Sequence, residues 1–166
     1  MNLVRKFPDG HSNSLARSSS EEIYWLLNVR GNARFGAAGV RSFRELFLHI
    51  AAANYNIPTM MGAEPNPATK EQDFDKSTTD KAKIIEQLNQ SFAHAITVVQ
   101  GMSNADFAKP EKKLGPDAND GDVVYLLVTH AHEHLGQSIA YARMNGVVPP
   151  WTAKAMKKNA GAAQDN

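Results

Sequence analysis

The chain has no cysteine. That excludes disulfides, thiolate metal sites and a cysteine nucleophile. Any metal site must draw on His, Asp, Glu or water. The chain also carries almost no net charge: 18 Lys and Arg stand against 17 Asp and Glu, a formal +1. No basic field follows, so nucleic acid is not expected as a partner. No stretch reaches the roughly 18 consecutive apolar residues of a membrane span, and no membrane partner is expected. The opening MNLVRKFPDGHSNSLARSSS holds no apolar run of about 7–15 residues and is not read as a signal peptide. A cytoplasmic protein is the expectation. Strand signals are missing too: nothing alternates with period two, and no hairpin dipeptide separates apolar stretches.

What is present is helical. The chain has 166 residues, 42% of them apolar, enough for one domain with its own core. Residues 1–20 are polar and read as a poorly ordered leader. Ser20 then caps a short helix with Ile23, Trp25, Leu26 and Leu27, ending near Gly31. Ser42 and Glu45 have capping-box spacing and open a better helix. Along it Phe43, Leu46, Phe47, Ile50 and Ala53 keep the 3.6-residue period, and Pro58 marks the end. A loop with two prolines follows. A third helix starts near Ser77 or Thr78, with Asp80 favourable at its positive end. Ile85, Leu88, Phe92, Ala95 and Val99 form its apolar face through about residue 102. A charged loop leads to the last helix, capped by Asp120 or a neighbour and stopped at Gly146. The tail after Trp151 is expected to fray. The pattern predicts an all-α fold, an antiparallel four-helix bundle with a short or irregular first helix. The interior of such a bundle is a usual place for a metal or ligand site.

The last helix carries THAHEHLGQ, with three of the six histidines within five residues. At 3.6 residues per turn, His130 and His134 share one stripe with Val123, Leu127, Gln137 and Tyr141. Val124, Val128, Ala131 and Leu135 extend the apolar arc. His132 and Glu133 fall on other sides. Two histidines at i, i+4 can bring their ring nitrogens to one ion. The plainer alternative is that both hydrogen-bond in the core. His49 is the candidate third ligand, because it shares the inward face of Leu46 and Ala53. A core histidine with satisfied nitrogens is the alternative there. His94 lies off the core stripe of its helix and reads as surface, as does His11 in the leader.

A competing motif overlaps the same residues. His130 to His134 match H-x-x-E-H, in which Glu133 would be the general base. Such metallopeptidases take a third, acidic ligand downstream, and here the only acidic residue after His134 is Asp165, in the tail. The peptidase reading is therefore set aside. Glu133 stays a candidate base for other chemistry, beside the simpler reading of a solvent-facing carboxylate.

Two segments resemble the DinB-like proteins, the DinB/YfiT superfamily. They are RSFRELFLHIAAANYNIPTMMGAEPN (41–66) and LLVTHAHEHLGQSIAYARMNGVVPP (126–150). The family pattern places one histidine on an early helix, here His49. The last helix then carries His-x3-His followed by x-Gly-Gln, here His130, His134, Gly136 and Gln137. The resemblance implies a bundle over residues 40–151, often dimeric, with a divalent metal on His49, His130 and His134. Zinc, nickel and iron all suit imidazole ligands. It also implies a small-molecule substrate, such as the small bacterial thiols used by characterised relatives. Residues 1–39 depart from the family pattern, with excess glycine and no proline just before the Val-Arg-Ser-Phe segment, and read as an atypical N-terminal segment. Residues 152–166 read as a flexible C-terminal tail.

The expected function is a metal-dependent enzyme, a hydrolase or a thiol-dependent transferase, with Gln137 and Tyr141 beside the metal ligands. The alternative is a non-catalytic metal-binding or stress-associated bundle. A bundle with no metal is the third reading, and it requires the three imidazoles to lie apart.

Overall fold

The computed structural model describes residues 39–70 and 73–162. The expected helix of residues 20–31, the glycine-rich loop after it and His11 lie outside the described residues. Within them the order is α1 (Phe43–Asn56), three short 3-10 turns, α2 (Lys81–Gly101), α3 (Asn104–Phe107), α4 (Asp120–Met144) and α5 (Pro150–Ala162). The fold is an all-α helical bundle. No strand occurs among the described residues, only an isolated bridge between Pro110 and Asn119. No described helix is long and apolar enough to cross a membrane.

Helix α1 begins as its sequence requires. Ser42 accepts from the Glu45 amide, and the Glu45 carboxylate accepts from the Ser42 amide at 2.6 Å. This capping box satisfies two of the first-turn amides that no carbonyl inside the helix can reach. The helix tightens into the 3-10 turn Ile57–Met61, which ends at Gly62 in the left-handed region (φ 85°). Helix α4 opens with a second capping box, between Asn119 and Asp122. Its N-cap is thus Asn119, the neighbour of Asp120. At its far end Gly146 takes φ 73°, a backbone conformation in which a Cβ is strained.

Helix α1 is buried on several sides. Phe43, Leu46, Phe47, Ile50 and Ala51 are in the core, and so are Leu48, Asn54 and Tyr55. It packs against α2, α4 and the turn Phe74–Lys76. Ala53, expected inward, is only half-buried.

Directions follow from the contacts. Phe43 at the start of α1 meets Tyr141 near the end of α4, with ring centroids 6.3 Å apart, so these two helices are antiparallel. Helices α1 and α2 instead run in the same direction: Asn54 bonds Ser91, and Tyr55 stacks beside His94. Residues 57–80 make this possible. They return along α1, with Thr69 hydrogen-bonded to Asn56 and then Asp75 beside Arg41. The expected antiparallel order therefore holds for one of these two pairs. A connection of this length can carry the chain back to the end of the bundle where α1 began.

The buried stripe of α2 is Ile84, Leu88, Ser91 and Ala95. The expected face was rotated from this, and Ile85, Phe92 and Val99 are half-buried. Ser91 explains the shift. Its hydroxyl donates to the Leu88 carbonyl and accepts from Asn54, so a polar residue sits in the core with both capacities used. Phe74, expected in a loop, is buried in the main cluster. His94, expected on the surface, is half-buried against Tyr55. Val128 and Leu135, expected on the apolar arc of α4, are exposed. After Val148 the described chain continues as α5 to Ala162. Pro150 at its first position and the Ala, Lys and Met that follow favour helix.

Leu46→Ala, at a fully buried position of α1, should cost about 2–5 kcal/mol in urea unfolding. Ser42→Ala should cost about 1 kcal/mol through loss of the cap. A loss below about 0.5 kcal/mol for Leu46→Ala would contradict the central place of α1.

Candidate metal centre

The site lies where the middle of α1 faces the middle of α4. His49 comes from α1, and His130 and His134 come from successive turns of α4. The three imidazoles converge through their Nε2 atoms. His130 Nε2 lies 3.3 Å from His49 Nε2 and 3.2 Å from His134 Nε2. One ligand nitrogen from each ring falls within 4.8 Å of the other two. Two nitrogens held at about 2.05 Å from one tetrahedral ion would be about 3.3 Å apart. The spacing of the two adjacent pairs is that of a shared ion.

Protonation favours the same assignment. His134 Nδ1 lies 2.9 Å from Gln137 Oε1. A carboxamide oxygen only accepts, so Nδ1 carries the proton and a neutral His134 presents a bare Nε2 lone pair to the cluster. The Gln137 amide in turn donates to the Tyr141 hydroxyl at 2.9 Å, which fixes its orientation. Burial pushes the pKa of His49 down to about 4, with the Arg41 charge and the two other imidazoles acting in the same direction. Burial and His134 also lower that of His130. Both rings are then neutral at pH 7, the form that ligates metal. Hydrogen bonds among the three rings cannot use every Nε2 in this cluster, because a neutral imidazole has one N–H. A cation at the centre resolves the lone-pair repulsion. His130 Nδ1 is buried and meets no hydrogen-bond partner.

The other candidates separate. Gln137 and Tyr141 stand beside the cluster, as the helical stripe predicts. His132 is exposed. Glu133 is exposed too, yet its charge acts on His130 and favours the protonated form. It reaches the site as a field and has no hydrogen bond to it. No acidic side chain joins the three histidines, so the peptidase-type ligand set is not formed among the described residues. Arg41 and Asp75 were not anticipated. They form an ion pair at 3.5 Å, and both act on His49 electrostatically. Arg41 is one residue ahead of the cap of α1, and Asp75 lies in the turn packed on that end. Nothing in their spacing, 34 residues apart, announces the pairing.

The fold and the site together define a helical bundle with a three-histidine cluster on facing helices. The DinB superfamily model matches residues 15–138, about three-quarters of the chain, and the chain belongs to that superfamily. The match begins upstream of the segments that carry the resemblance and takes in most of the N-terminal region. No curated protein and no solved structure matches the chain.

Acid should destabilise the metal-free protein through His49. Its folded pKa is near 4, below the ordinary value of 6.5. The unfolded chain therefore binds more protons between those limits, and stability falls as pH drops from about 6.5 towards 4. Chemical denaturation across this range should show the fall, and His49→Gln should flatten it. Equal slopes in both proteins would remove His49 as the cause.

Proposed function

We propose that this protein is a divalent-metal-dependent enzyme of the DinB-like type, a hydrolase or a small-thiol-dependent transferase, with its ion held by His49, His130 and His134. The observation that carries this reading is the convergence of three Nε2 atoms at 3.2–3.3 Å along two edges. Three protein ligands leave coordination positions open, the arrangement of catalytic rather than structural ions. His49 and His130 are only partly buried, which leaves a side from which a small molecule could approach. Imidazole donors leave zinc, nickel and iron open.

A divalent ion there supplies a Lewis-acid charge that lowers the pKa of a coordinated water or thiol. The chain has no cysteine, so a thiol at this site would come from the substrate. The chain's own residues orient and tune. Gln137 holds the His134 tautomer and ring plane through Nδ1, and Tyr141 holds Gln137. Glu133 adds negative field at His130 from the solvent side. Arg41, half-exposed near His49, offers a positive charge to an anionic substrate group. A cytoplasmic location and a homodimer accompany this reading.

The alternative reading is a non-catalytic metal-binding bundle with the same three histidines as ligands.

Protein purified without an affinity tag should contain about one divalent ion per chain by elemental analysis. His130→Ala should lose it. Gln137→Leu should weaken metal affinity by about 10–100-fold. Equal metal in wild type and His130→Ala would end the metal reading. Metal-loaded wild type should then turn over ester, amide or thiol-plus-electrophile substrates. If such turnover is absent, or is unchanged in His134→Ala, the binding reading stands instead.

A further inference from the structure

A cation beside a metal centre works against the metal, and Arg41 is such a cation. Its charge acts on histidines of both facing helices. After burial, it is the next cause that holds the pKa of His49 down. Behind burial and the His134 ring, it acts on His130 as well. Its field therefore reaches across the place where α1 and α4 bring the rings together. Asp75 offsets part of this at His49, as the smallest of the causes there.

The pair that should quench this charge is loose. The capping box at Ser42 fixes the backbone next to Arg41, and buried Phe74 anchors the turn that carries Asp75 against α1. Both backbones are held, yet Arg41 Nε stands 3.5 Å from Asp75 Oδ2. That is longer than the roughly 2.7–3.2 Å of an N–H···O hydrogen bond. It is also not the two-pronged arrangement that a matched guanidinium and carboxylate adopt. The Arg41 side chain is 44% exposed and that of Asp75 26%, so water screens the pair. Pairs of this kind hold weakly, and a better-placed carboxylate can displace Asp75.

A site that only stores a divalent ion loses from a residual positive field. The same field becomes an advantage once an anionic group enters beside the ion. Distance permits this. Ser42 is seven residues before His49, about 10 Å along the helix axis, and the long Arg41 side chain can cover part of that span. A molecule held at the rings would then offer its second group to Arg41 on a short flexible stem.

We propose that the site takes a small substrate with two ends, one on the ion held by His49, His130 and His134 and the other a carboxylate on the Arg41 guanidinium. Asp75 is the internal competitor that this carboxylate displaces, and it sets how strongly the anion is preferred. The assignment rests on the metal reading given above.

The test uses the full-length protein loaded with cobalt(II). It is titrated with 4-mercaptobutanoate and, separately, with 4-mercapto-1-butanol, and the near-ultraviolet thiolate-to-cobalt absorption is followed. Both thiols should give the band. The carboxylate thiol should bind at least about tenfold more tightly, the order expected of a charged hydrogen bond. Arg41→Gln should remove most of that preference. Asp75→Asn should instead increase it by about two- to fivefold, the strength of an exposed ion pair. A pair that only fastens the turn to α1 would move both variants in the same direction. Equal affinities in the wild type, an undiminished preference in Arg41→Gln, or an unchanged or reduced one in Asp75→Asn would overturn the proposal and leave the metal reading standing. No band with either thiol would remove the metal reading, and the proposal with it.

Discussion

Leu46, Leu48 and Ala51 project from different sides of α1, and each is fully buried. A 14-residue helix covered on more than one face cannot shift without exposing apolar surface somewhere. Helix α2 on one side, α4 on another and the Phe74–Lys76 turn near its start enclose it. Both neighbouring helices take their register from this burial. The Asn54–Ser91 bond fixes α2 along the axis, and the Phe43–Tyr141 contact fixes α4. His49 lies halfway along the enclosed helix, so its position is set by packing. The three-histidine cluster then needs only the correct rotation of α4, which Val123, Leu127 and Tyr141 supply by facing inward on the stripe shared with the two histidines.

Features that depend on neighbouring residues were legible in the sequence. The Ser42–Glu45 box, the stop at Gly146 and the inward stripe of His130, His134, Gln137 and Tyr141 each follow from helix geometry alone. The selection of His49 rested on the same geometry and on the family resemblance. Features that depend on what packs opposite were not legible. The face of α2 turned out to pivot on Ser91, a residue whose burial makes sense only once Asn54 is seen to use its hydroxyl. Phe74 looked like loop because its partners lie on α1, some thirty residues earlier. His94 and the direction of α2 relative to α1 likewise depend on the path taken by residues 57–80.

The site is asymmetric. His134 is oriented from behind by Gln137 and Tyr141, whereas His130 has a buried Nδ1 with nothing to hold it. The Arg41–Asp75 pair places both signs of charge beside His49, and the positive one contributes more to its pKa. His134 is held through its Nδ1 by a hydrogen bond, His130 feels the Glu133 charge with its Nδ1 unpartnered, and His49 sits beside an ion pair. Ligands so differently supported respond differently to the charge at their common centre.

The His130–His49 contact joins residues 81 apart in sequence. Helices such as α2 can form from neighbouring residues alone, but this contact closes a long loop and waits for α4 to dock. Until then the chain holds only the pair on α4, which a single helical segment can present. The third ligand arrives with the tertiary fold. The complete three-histidine cluster therefore requires the docked α1–α4 pair, and an ion that prefers three imidazoles over two would act as a latch on that pairing.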